Sequence, residues 1–235
     1  MTNLTLRVGA LVAIAMGAGC GLIDSDVANI DLSLPDKNFT IDASGWDVDP
    51  AATMALTSTS CAAMPSACDQ GAQAACPMDC TGRCGTSSTC ELDLDVSLYQ
   101  LVDLYAEKPE LQSINDRAII DVTIDTMTYT VTANTLNIDT PEMQVFIAPM
   151  SIMDPNDPTA EQIGTIPAVA AGTTTMGAVP FQFTAAGKAK LVDIMASFKS
   201  PFNILVGSKL TVTSTTPVPT GRLDAVIKIK GHAGL

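Results

Sequence analysis

Basic residues are scarce in this chain: 12 Lys and Arg stand against 25 Asp and Glu, for a formal net charge of −13. A surface this acidic repels nucleic-acid phosphates and gains nothing from an anionic bilayer, so no nucleic-acid partner is expected. Histidine is almost missing, His232 being the single one, which excludes metal sites built on two or more imidazoles. Aromatic residues make up only 4% of the chain, so few side chains are on offer to stack sugars. Charged residues of both signs amount to 16% while 47% are hydrophobic, a balance that disordered chains do not show. The apolar run Val8 to Met16 falls well short of the roughly 20 residues that a membrane-spanning helix needs.

That short run is informative in its own right. Arg7 precedes it and small residues follow it as far as Cys20, the order of a secretory signal. Ala13-Ile14-Ala15 offers a site to ordinary signal peptidase. Gly17-Ala18-Gly19-Cys20 resembles the lipobox of bacterial lipoproteins, with Gly17 standing where that family mostly carries Leu or another aliphatic residue. The resemblance implies cleavage before Cys20 and lipidation of that cysteine with palmitate-like acyl chains. In that family an Asp after the cysteine favours inner-membrane retention, so Gly21 implies the outer membrane, on its periplasmic face or at the cell surface. At about 0.8 kcal/mol per buried CH₂, two or more acyl chains hold a protein stably at a bilayer.

Cysteine parity points the same way. Seven cysteines is an odd number for an exported chain, where thiols tend to pair. Cys61, Cys68, Cys76, Cys80, Cys84 and Cys90 share one short window, while Cys20 stands far upstream. Setting Cys20 aside as a lipid attachment point leaves an even set for disulfides, whose connectivity the spacing alone does not choose. The residues between these cysteines are mostly Gly, Ala, Ser and Pro, so the segment is expected to rely on cross-links rather than on a core of its own. Zinc fits poorly here, because there is no C-x₂-C pair and no nearby histidine.

The remainder reads mainly as strands. Ile30, Leu32 and Leu34 alternate with polar residues, Pro35 to Asn38 suggests a turn, and Phe39 and Ile41 resume the alternation, which predicts a hairpin. Leu92, Leu94 and Val96 form another strand, and so do Ile120, Val122 and Ile124. Met127, Tyr129 and Val131 continue that strand after a one-residue shift, which predicts a bulge. Further strands are expected at Met143 to Ile147, Ile163 to Val169, Val179 to Phe183, Phe202 to Val212 with a break at Gly207-Ser208, and Leu223 to Ile229. Two helices interrupt them. One has Leu98, Leu101, Val102 and Tyr105 on one face, Ser97 as cap and Pro109 as stop. The other runs from a Thr184 cap through Leu191, Ile194, Met195 and Phe198 to Pro201. The predicted class is all-β: an antiparallel, Ig-like β-sandwich with one or two accessory helices and an inserted disulfide-rich segment. The expected divisions are 1–19 signal peptide, 20–29 lipid-anchored tether, 30–50 N-terminal hairpin, 51–90 Cys-rich segment and 91–235 sandwich.

Few residues offer chemistry. His232 lies near the chain end in "GHAGL", where fraying is expected, and no nucleophile-elbow pattern accompanies it. The pairs Asp93/Asp95 and Asp121/Asp125 could place two carboxylates on one strand face as in glycoside hydrolysis, but they read more simply as solvent-side charges. Asp154, Asn156 and Asp157, with Glu161 close by, offer hard oxygens suited to structural Ca²⁺, although Pro155 and Pro158 explain them equally well as turn residues. No other cofactor motif is present. The expectation is a non-enzymatic envelope lipoprotein with a membrane partner through its anchor and envelope proteins or polysaccharide as further partners. The alternatives are a carrier of a small apolar ligand, its cavity lined by Met127, Met143, Met150, Met153, Met176 and Met195, and, more remotely, a hydrolase.

Overall fold

A computed structural model describes residues 29–78, 80–112 and 121–234 of the chain. In chain order its strands are β1 (Ile30–Asp31), β2 (Lys37–Asp42), β3 (Cys80–Cys84), β4 (Cys90–Val102), β5 (Asp121–Asn134), β6 (Met143–Pro149), β7 (Glu161–Ile166), β8 (Val179–Pro180), β9 (Gln182–Phe183), β10 (Phe202–Val212) and β11 (Arg222–Gly234). The α-helices are α1 (Pro50–Thr57), α2 (Ala67–Ala75), α3 (Leu104–Glu107), α4 (Pro109–Gln112) and α5 (Gly187–Ala196). All the pairings are antiparallel. One sheet has β11 at its centre, between β5 on one side and β1 and β2 on the other, with β8 beyond β5. The second runs β3-β4-β10-β6-β7-β9.

Alternation explains why these sheets face one another. Successive strand side chains point to opposite faces, so β11 buries Leu223, Ala225, Ile227 and Ile229 while Lys228 and Lys230 stay outside. Phe39, Ile41, Tyr129 and Val131 join them from β2 and β5. Against that face stand Leu98, Met143, Ile166 and Val206 from the second sheet, leaving a void of only about 20 Å³ between them. Each such side chain adds roughly 1.5–3 kcal/mol through the apolar area it removes from water.

Several local expectations give way to longer-range pairing. Residues 30–42 do not form a hairpin: Ile30 pairs with Ala233, Leu32 and Leu34 donate to Gly231 and Ile229 carbonyls, and Lys37 to Asp42 continue along Ile227 to Arg222. The segment is a single interrupted edge strand along β11. Pro35 interrupts it without reversing it, since a proline φ is compatible with extended backbone at a sheet edge.

The helix expected from Ser97 is strand as far as Val102. β10 pairs with β4 from Phe202↔Val102 to Val212↔Leu92, and that ladder outweighs a weak local helical period. Helix begins only at α3, where the Asp103 carboxylate accepts from Ala106 N at 3.0 Å. α3 ends at Glu107, just before the expected stop at Pro109, and Pro109 then opens α4, a position that needs no amide donor. The break expected at Gly207-Ser208 is also absent, because Gly207 continues β10. A Cβ there would sit 2.8 Å from the Pro155 ring, so the glycine admits a loop laid over the strand.

Other expectations hold, wholly or in part. The shift after Ile124 is a bulge: Gly231 pairs with Ile124 and Lys230 with Thr126, leaving Asp125 extra. The single strand expected from Val179 to Phe183 is divided instead, β8 pairing with β5 in one sheet and β9 with β7 in the other, with Phe181 buried at the step. α5 buries Leu191 and Met195 completely. Its N-cap is Ala186 rather than Thr184, whose N–H instead donates to Ile163 O at 2.9 Å.

Ile204 is fully buried at the centre of the second sheet. Ile204→Ala is expected to cost about 2–5 kcal/mol, read from denaturant unfolding midpoints; a change within experimental error would contradict this core.

Candidate functional site

The six clustered cysteines form three disulfides: Cys61–Cys84, Cys68–Cys90 and Cys76–Cys80, with Cα separations of 5.7, 5.3 and 6.2 Å. Cys68 sits on α2, Cys84 ends β3 and Cys90 begins β4, so the bridges join the helical segment to the edge of the second sheet. Cys61, Cys68 and Cys90 place their sulfurs within 4.8 Å of one another, so the first two bridges lie side by side. The segment is less independent than its composition suggests. β3 is the edge strand beside β4, Leu56 of α1 and Ala72 and Ala75 of α2 are buried in the common core, and the Trp46 indole donates to Asp95 O at 2.9 Å. At Gly82 a Cβ would lie 2.0 Å from Cys68 O, so glycine is what lets α2 rest directly on β3.

Beside these bridges lies the most buried charge of the strands. Asp93, expected on the solvent side, is only 4% exposed. It accepts from Arg83 Nε at 2.8 Å and Thr211 Oγ1 at 2.7 Å, and Arg83 also pairs with Glu91 at 2.5 Å. A buried carboxylate persists when its lone pairs are filled in this way. Sequence reading missed it because alternation marks a face as outward without showing that Arg83 covers it. Asp95 pairs separately with Lys209 at 3.3 Å. Asp93 and Asp95 therefore face different cations, Asp93 sharing Arg83 with Glu91 and Asp95 meeting Lys209.

The remaining candidates are dispersed. His232 is no frayed residue: β11 carries it between Asp31 and Thr123, and its Nδ1 lies 3.1 Å from Asp125 Oδ2. Asp154 accepts from Asn156 N and Nδ2, and Asp157 accepts from Thr159 N and Oγ1, so both are engaged as turn-forming side chains. Glu161 pairs with Lys190 at 2.9 Å. Among the described residues, Asp154, Asp157 and Glu161 do not gather into a three-ligand cluster. The methionines expected to line one cavity also separate. Met127, Met143 and Met195 are buried, whereas Met150, Met153 and Met176 are exposed. The inter-sheet void of about 20 Å³ has room for a water, far below the 300–1,000 Å³ of ligand pockets. A groove of about 540 Å³, lined in part by Asp42, Asp47 and Arg222, opens beside the end of β11. Cys20 lies outside the described residues.

Several carboxyls are held below their usual range: Asp42 by its bonds from Ser44, Asp157 by those from Thr159, Asp31 by those from Ser33, and Asp224 by Arg222 and Thr40. A carboxyl lowered in the folded state contributes stability that is complete above its unfolded pKa and lost as pH falls through its folded one. The melting temperature is therefore expected to hold from neutral pH to about 5 and to fall below about 4; a flat profile down to pH 2 would contradict these bonds. Asp93→Asn, which leaves Arg83 facing a neutral amide in a buried position, is expected to destabilise by about 1–3 kcal/mol, measured by denaturant unfolding. An unchanged midpoint would show that Arg83 does not depend on this partner.

Compared with models of known protein families and with curated proteins, the chain matches none.

Proposed function

We propose that the chain is an exported, lipid-anchored envelope protein without catalytic activity. In this reading residues 1–19 are a signal peptide, Cys20 becomes the acylated first residue, and 20–29 tether an immunoglobulin-like β-sandwich to the outer membrane. The sandwich serves adhesion, envelope structure or the binding of envelope proteins or polysaccharide.

One observation carries the reading. Six of the seven cysteines are consumed pairwise in three bridges, which leaves Cys20 as the odd one. Disulfides of this density belong to oxidising compartments, and the residue left over is the one that resembles a lipobox cysteine. The two facing antiparallel sheets support the sandwich, and the small void between them favours a displayed solid body over a carrier. The pairing of Asp93 and Asp95 with separate cations gives no support to a hydrolase.

Expressed in a bacterial host that processes lipoproteins, the protein is expected in the membrane fraction and to accumulate as precursor under globomycin, an inhibitor of lipoprotein signal peptidase. Cys20→Ala should move it to the soluble exported fraction. A Cys20→Ala protein that stays with membranes would overturn the anchor.

A further inference from the structure

The outer face of the second sheet is apolar at one end. Tyr99 and Leu101 of β4 are 46% and 45% exposed, Tyr105 of α3 is 37% exposed, and Met150 and Met153 after β6 are 50% and 51% exposed. Register brings Tyr99, Leu101 and the end of β6, which Met150 follows, to the same end of β10. Leu101 lies beside Asn203 and Tyr99 beside Leu205 on the same face of β10, and Ala148 lies on the other side of Asn203. Asn203 is 1% exposed, and its amide donates to Met150 O at 3.0 Å and Ile152 O at 2.7 Å. A buried side chain thus fixes the 150–153 loop next to Leu101. Tyr105 stacks on Phe198 at 6.4 Å, and Lys199 lies 5.9 Å from that ring, so a cation borders the apolar group.

The chain enters at this same end. Asp31 in β1 lies 3.7 Å from Lys108, just after α3, and Lys37 donates to Leu101 O at 3.0 Å. From Cys20 to Asp31 an extended chain reaches at most about 40 Å. β4 alone, from the Cys90 bridge to Val102, is about 40 Å long. An anchor at Cys20 therefore brings the Leu101 end to the bilayer easily, whereas turning the disulfide end to it would need a fully stretched tether laid along the molecule.

We propose that the end of the sheet formed by Tyr99, Leu101, Tyr105, Met150 and Met153 rests on the lipid surface that holds the Cys20 acyl chains, with the disulfide end pointing away. This rests on the anchored reading above and adds an orientation to it. Tyrosine suits the interface, having an apolar ring and a polar tip, and Leu and Met add uncharged area. The net charge of −13 makes a zwitterionic surface the matching one.

The exposed methionines report on this directly, because Met54, Met64 and Met78 lie on or beside α1 and α2 at the disulfide end. The mature acylated protein is reconstituted in phosphatidylethanolamine–phosphatidylcholine vesicles, floated on a gradient, and oxidised with hydrogen peroxide. Sulfoxide formation is followed residue by residue and compared with the Cys20→Ala protein in solution. Oxidation of Met150 and Met153 is expected to slow about fivefold or more, since a thioether at the lipid surface meets little aqueous oxidant. Met54, Met64, Met78 and Met176 should keep their solution rates. Failure to float would overturn the anchor and the orientation together. Flotation with all six rates unchanged would overturn the orientation alone. Protection of Met150 and Met153 that follows protein concentration without vesicles would assign the face to a second copy and overturn the lipid contact.

Discussion

The antiparallel ladder between β4 and β10, from Phe202↔Val102 to Val212↔Leu92, is the constraint on which the other features depend. It holds residues 97–102 as strand against their helical spacing and sets which face of β4 joins the core. It also makes β4 long enough to carry the Cys90 bridge at one end and the Leu101 surface at the other. Because strand side chains alternate strictly, the register that buries Leu92, Leu94 and Val96 also sends Asp93 to Arg83 and Thr211 on the outer face. A slip of one residue would bury the acids and expose the leucines.

The disulfide segment is an extension of this sheet. β3 continues it by one strand, and α1 and α2 cover its end with small side chains that bury little area. Cross-links offset that shortage. In the chain-entropy account, loops of 23 and 22 residues closed by Cys61–Cys84 and Cys68–Cys90 contribute about 3 kcal/mol each. Gly82 makes the geometry workable by letting the α2 backbone approach β3. Cross-links and close packing therefore act together at this end, and the salt bridge from Arg83 to Asp93 closes its outer side.

Where one face of a strand is buried and the other wet, the pattern is readable from the residues: β11, β6 and β5 with its bulge at Asp125 all follow from alternation. It misleads where the deciding partner is distant in sequence. Leu98 and Leu101 fit a helix until β10 is placed beside them, and Pro35 looks like a reversal until β11 offers an edge for both flanks. Gly207 looks like a break until Pro155 is seen above it. The cysteine cluster is recognisable as a disulfide framework, but its pairing depends on the fold that brings α2, β3 and β4 together. Asp93 and His232 escape sequence reading for the same reason, since position along a strand or near a terminus does not show which distant residues it meets.

The anchored reading gives the cysteines two separate roles. In that proposal Cys20 is the attachment point for lipid, while the other six form the three bridges at the far end of the sheets. Intact-mass measurement and non-reducing peptide mapping of the mature protein test this division most directly. The account predicts a first residue at Cys20 carrying acyl chains, and cross-linked peptides joining Cys61 to Cys84, Cys68 to Cys90 and Cys76 to Cys80. An unmodified Cys20, or Cys20 found in a disulfide with one of the other six, would contradict it.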